Sequence, residues 1–65
     1  MKLDKKKIDI LRADNVMTIR NLAQRAGVST SSIVYCDNVE ATTAGKIAKA
    51  LGVSVREILV GDEDA

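Results

Sequence analysis

Residues able to do covalent chemistry are scarce in this chain. It holds no histidine and a single cysteine, Cys36. A His-dependent nucleophilic triad and the usual Cys/His zinc site are therefore excluded, and Cys36 has no partner for an internal disulfide. Carboxylates remain, but a chain of 65 residues has little room to enclose a substrate. The chain reads as a non-enzyme without cofactor, metal or small-molecule ligand. What is left is non-covalent chemistry. Hydroxyls cluster in "VSTSSIVY" at Ser29, Thr30, Ser31, Ser32 and Tyr35, and Tyr35 is the only aromatic residue.

Charge is the second resource, and it is unevenly spread. All ten Lys and Arg precede residue 57, whereas three of nine acidic residues sit in the final "DEDA". Residues 1–61 thus hold ten cations against six anions, a net of +4. That bias is mild, short of a patch that would announce nucleic acid unaided. Hydrophobic residues make up 46%, enough for a globular fold. The length allows one domain, assigned to residues 1–61, with 62–65 as a flexible acidic tail. No apolar run is long enough to span a bilayer, and Asp4 and Asp9 interrupt any secretory stretch in "MKLDKKKIDILR". A soluble cytoplasmic protein is expected.

The elements that must position these groups are helical, since Ala, Leu, Ile and Lys recur at three- and four-residue spacing. Asp4 is the predicted N-cap of a first helix whose inward stripe is Ile8 and Leu11, with Leu3 just outside the helix, and which ends in "ADNVM". Thr18 is the next cap, with Ile19, Leu22, Ala23 and Ala26 inward and Gly27 as the sharp exit. Ser29 is expected to cap a third helix, with Ile33 inward and Cys36 buried one turn on. "TTAGKIAKALG" predicts a fourth, burying Ala44, Ile47, Ala48 and Leu51 and stopped by Gly52. "SVRE" reads as a capping box, Ser54 with Glu57, opening a short fifth helix through Ile58 and Leu59.

"MTIRNLAQRAGVSTSSI" followed by "TAGKIAKALGVSVREIL" resembles the Cro/repressor-type (XRE-like) helix-turn-helix regulators, over roughly residues 5–60. Its most specific parts are "LAQRAGVS", "SSI" and "IAKALGVSVREI". Ala23 must be small where the second and third helices cross, Gly27 makes the turn, Val28 plugs the gap and Ile33 anchors the third helix. The resemblance implies an all-α, compact five-helix, lambda-repressor-like DNA-binding domain whose helix-turn-helix is formed by the second and third helices. The chain departs from the pattern at Ile19, where a phosphate-touching Gln is usual, and at Asp37, where a Glu is usual. The clipped "YCDNVEAT" also replaces a longer loop, which predicts an early end to the third helix near Cys36 and a tighter turn.

By analogy with such motifs, Thr30, Ser31, Val34 and Tyr35 would face base edges, with Ser32 at the margin. Hydroxyls discriminate weakly between bases, while Val34 or the Thr30 methyl can pack on a thymine methyl. None of these offers the bidentate pairing worth about 1–3 kcal/mol, so specificity would lean on DNA shape, water and dimer spacing. Phosphate contacts are expected from helix starts: Thr18, Arg20 and Asn21, then Asn38, Thr42, Thr43 and Lys46. Gly45 would permit close approach of another backbone, that of DNA included. Lys5, Lys6 and Lys7 read as the solvent face of the first helix. Glu40 is an awkward charge beside such a surface. Val55, Ile58 and Val60 are expected to form a homodimer interface on a palindromic site, although one of Ile58 and Leu59 must belong to the core, which makes Val60 the more telling residue.

Two readings follow. The first is a sequence-specific transcriptional regulator, acting as a repressor by major-groove insertion, with double-stranded DNA and a second copy as partners. The alternative is a protein-protein interaction module that kept this fold and lost DNA binding, for which Ile19, Glu40, the clipped loop and the modest charge argue.

Overall fold

Asp4 opens α1 (Lys5–Asp14) as its spacing predicts, its carboxylate accepting from the Lys6 amide at 3.0 Å and the Lys7 amide at 3.4 Å. The computed structural model describes residues 1–60, so the acidic tail at 62–65 lies outside the described residues. Three further α-helices follow: α2 (Ile19–Ala26), α3 (Thr30–Val34) and α4 (Ala41–Leu51). A 3₁₀ turn at Val55–Glu57 stands where a fifth helix was expected.

Thr18 and Asn21 build a reciprocal capping box at the start of α2, Thr18 Oγ1 accepting from the Asn21 amide at 3.0 Å. Two helices then end by the same device. Gly27 and Gly52 take φ +73° and +78°, conformations that cost glycine little. The amides of Val28 and Val53, each just after the glycine, donate to Ala23 O and Ala48 O, both at 3.0 Å. The tripeptide Gly-Val-Ser thus closes both α2 and α4, and both valines pack on the core.

The core holds the residues that the periodicity predicts: Ile8, Leu22, Ala23, Ala26, Ile33, Ala44, Ile47, Ala48 and Leu51 are buried, with Ile19 and Leu11 packed at its edge. Leu3, Met17, Cys36, Val39 and Ile58 complete it. At about 1.5–3 kcal/mol per fully buried aliphatic side chain, this one cluster carries the fold.

Three local expectations are corrected. Ser54 occupies the cap position but makes no side-chain cap bond, so the Ser54–Glu57 capping box is absent. The cause is tertiary. Asp4 N donates to Ile58 O at 2.7 Å and Val60 N to Lys2 O at 3.2 Å, so the chain leaves the turn extended instead of winding on. Ser29 likewise makes no cap bond, its hydroxyl lying 3.1 Å from Ser31 Oγ and 3.3 Å from Ser32 Oγ. The third correction concerns Cys36. α3 ends at Val34, so Cys36 lies beyond the helix in the turn, although still buried.

That turn is tied down by residues 1–4, an extended arm lying between it and the C-terminal segment. Leu3 N donates to Cys36 O and Val39 N to Met1 O, both at 2.9 Å. On its other side Leu3 forms an antiparallel bridge with Leu59. The loop after α3 is too short to satisfy its own backbone, and the arm supplies the missing partners.

The α1–α2 connection has its own clamp. Arg12 donates to Met17 O at 3.0 Å and to the Asp9 carboxylate at 2.8 Å. Arg12, with Lys5, holds the Asp9 carboxyl below its ordinary value of 3.8.

Candidate nucleic-acid interface

α3 presents a short run of small residues on a well-anchored base. Ile33 is fully buried while Thr30, Ser31, Val34 and Tyr35 are exposed, Tyr35 at 77%. One buried anchor thus holds α3 with Thr30, Ser31 and Val34 exposed on it, while Tyr35, expected on the helix, lies just past its end as a non-helical C-cap. Ser31 shares its hydroxyl with Ser29. Thr30 and Tyr35 have no side-chain hydrogen bond among the described residues, so their hydroxyls are free for a ligand.

The candidate phosphate residues stand at two helix starts. At α2, Thr18, Arg20 and Asn21 are exposed. Asn21 Oδ1 faces the Thr18 amide at 3.4 Å, leaving its amide nitrogen free to donate outward. At α4, Thr42 and Lys46 are exposed and Thr43 is half-buried, with Asn38 exposed in the preceding loop. Arg20 and Lys46 make no ion pair among the described residues, where only Lys5 and Arg12 do, both with Asp9. The lysine run of α1 is engaged elsewhere. Lys5 pairs with Asp9 at 3.5 Å and Lys7 donates to Leu59 O at 3.1 Å, leaving Lys6 exposed.

Between α3 and the start of α4 runs an open groove of ≈ 330 Å³. Ser31, Ser32, Tyr35, Asn38, Val39, Glu40 and Thr43 line it. The structure so brings Ser31 and Tyr35 together with Asn38 and Thr43, joining candidate base-reading residues to candidate phosphate-binding ones. Glu40 is the N-cap of α4, which begins a residue earlier than "TTAGKIAKALG" suggests, and its side chain forms no cap bond. Neither does it pair with Lys46 or any other cation among the described residues.

Gly45 faces open space: a Cβ there would meet nothing within 4 Å. Among the described residues, no backbone needs its smallness.

Of the three residues expected at a dimer interface, only two keep exposed surface in the single chain. Ile58 is fully buried in the chain's own core, because the arm pulls the segment after the 3₁₀ turn inward. Val55 and Val60 are half-buried. Cys36 is equally enclosed. Its thiol donates to Leu3 O at 3.6 Å, and burial pushes its pKa up, away from the reactive thiolate.

Sequence reasoning missed the Arg12 clamp and the arm. Asp9 and Arg12 at i,i+3 just before the "ADNVM" turn were the only trace of the first.

An anchored helix entered through a tight glycine turn, with cations at neighbouring helix starts, is the architecture of a helix-turn-helix protein. A family model of the Cro/C1-type HTH DNA-binding domain matches residues 7–64, and the chain belongs to that family. The family is one of DNA-binding domains and not of enzymes. Among curated proteins no match is found. Among the described residues, no helix is long and apolar enough to cross a membrane.

Proposed function

We propose that this protein is a sequence-specific transcriptional regulator, acting in the cytoplasm as a repressor. It inserts α3 into the major groove, so that bound protein occludes a promoter. The observation that carries the reading is the exposure of Thr30, Ser31 and Val34 on a helix fixed by buried Ile33, with exposed Tyr35 just past its end, in a chain of this DNA-binding family. Thr30, Ser31 and Val34 approach the base edges closely because they are small, and Tyr35 reaches sugar or phosphate with its hydroxyl. Thr18, Arg20, Asn21, Asn38, Thr42, Thr43 and Lys46 set the register on the backbone without reading sequence.

A reading surface this mild gains from pairing. A homodimer over a two-fold site would double the contacts, and Val55 with Val60 is the surface suggested for it, Ile58 being buried. The exposed carboxylate of Glu40 and the brevity of α3 favour the other reading, a protein partner on the same face.

The test is binding to duplexes selected from a randomised library, followed by fluorescence anisotropy over a range of salt. Log affinity should fall linearly with log salt, and Arg20→Ala or Lys46→Ala should flatten the slope by about 0.9 each. Tyr35→Ala should reduce the preference for selected over scrambled duplex. Failure to enrich any sequence, with equal weak binding to all duplexes, would end the regulator reading in favour of the protein partner.

A further inference from the structure

Glu40 stands out because the fold makes no use of its carboxylate. The side chain is exposed, caps no amide of α4 and pairs with no cation among the described residues. A cap residue with a shorter side chain would satisfy one of these amides; Glu40 leaves them open. The first helical bond of α4 runs from Ala44 N to Glu40 O, so the amides of Ala41, Thr42 and Thr43 have no intrahelical acceptor. A phosphate seated there would lie beside the carboxylate. Among the described residues, Glu40 is also the only charged one lining the groove that it shares with Ser31, Ser32, Tyr35 and Asn38.

An anion in that position has two consequences. Against a phosphate it is a like charge, which costs affinity for every sequence equally. Against a base edge it is an acceptor only, so it can be satisfied by the amino group of cytosine or adenine and repelled by the acceptors of guanine and thymine. The other polar lining residues carry hydroxyls and an amide, which both donate and accept and so cannot make that distinction, and Val39 is apolar.

We propose that Glu40 is a specificity-determining residue: it lowers affinity for duplex DNA in general and restores it where a cytosine or adenine amino group meets its carboxylate. The role rests on the DNA-binding reading above. The sequence selectivity absent from the hydroxyls of α3 resides in part at the start of α4.

The experiment compares wild type, Glu40→Gln and Glu57→Gln. Glu57 is exposed on the 3₁₀ turn beyond the far end of α4, so its variant removes the same charge away from the groove. Each protein selects duplexes from a randomised library, and each is titrated against one scrambled duplex over a range of salt. For Glu40→Gln the scrambled duplex should bind about tenfold tighter at low salt, a gain that shrinks as salt screens the lost repulsion and so steepens the log–log slope. A cytosine preference seen with wild type should be lost, by about tenfold in discrimination, at one position per half-site in both Glu40→Gln and Glu40→Ala, while an adenine preference should be lost only in Glu40→Ala, because glutamine itself pairs with adenine. Glu57→Gln should select as wild type does and leave the slope unchanged. Identical selected sequences and slopes for wild type and Glu40→Gln would overturn the role, as would equal effects of the two variants. Absence of any duplex binding by wild type would instead overturn the DNA-binding reading, and is seen before any variant is compared. Glu40→Ala, run alongside with circular dichroism to verify folding, separates loss of charge from the donor ability of the new amide.

Discussion

Val16 is the only residue other than glycine with a left-handed backbone among the described residues, at φ +52°, and its side chain is 89% exposed. A β-branched residue there strains the turn by about 1–2 kcal/mol without packing gained in return. Val16→Asn should therefore raise stability by about 1 kcal/mol in a denaturant melt, since asparagine tolerates that conformation. A loss would mean that the valine side chain has a partner. Gly45 permits a sharper test, because stability and binding should move in opposite directions. With open space around it inside α4, Gly45→Ala should stabilise the free protein by about 1 kcal/mol. If DNA backbone passes close to Gly45, the same methyl weakens duplex binding while the melting temperature rises. Unchanged binding would remove Gly45 from the interface. At this scale the sequence was readable where a residue acts on its immediate neighbours. Asp4, Thr18, Gly27 and Gly52 do what their types dictate within one helical turn.

Elements were legible where periodicity sets them and obscure where distant backbone decides. The inward faces of α2 and α4 are those their spacing predicts. Ser54 and Glu57 have the right types at the right spacing for a capping box, yet the chain beyond them pairs with residues 2 and 4, more than fifty positions away. The arm carries no readable signal of its own, because a single buried residue, Leu3, is too little for a two-residue alternation. Its effect on the candidate interface is direct, since it holds Cys36 and Val39 on either side of Asn38. Leu3→Ala should cost about 3 kcal/mol. Hydrogen exchange should show the Val39 amide, bonded to Met1 O, losing protection ahead of the α2 and α4 amides. Exchange of Val39 in step with α4 would show that the loop holds itself without the arm.

At the scale of the molecule, the Cα extents of 32 × 22 × 17 Å limit what one copy can cover. Successive major-groove faces of B-DNA lie about 34 Å apart, so one chain with one α3 reads one half-site. The proposed dimer on a palindromic site would have to use residues outside the core, where Ile58 is buried and Val55 and Val60 are half-buried. The central claim is that one face, built from the starts of α2, α3 and α4, engages duplex DNA. Amide chemical-shift mapping during titration with a library-selected duplex tests it most directly. The account predicts shifts concentrated at Thr18–Asn21, Ser29–Tyr35 and Asn38–Lys46, weakening together as salt rises. Shifts confined to Val55–Val60, or none on α3, would contradict it.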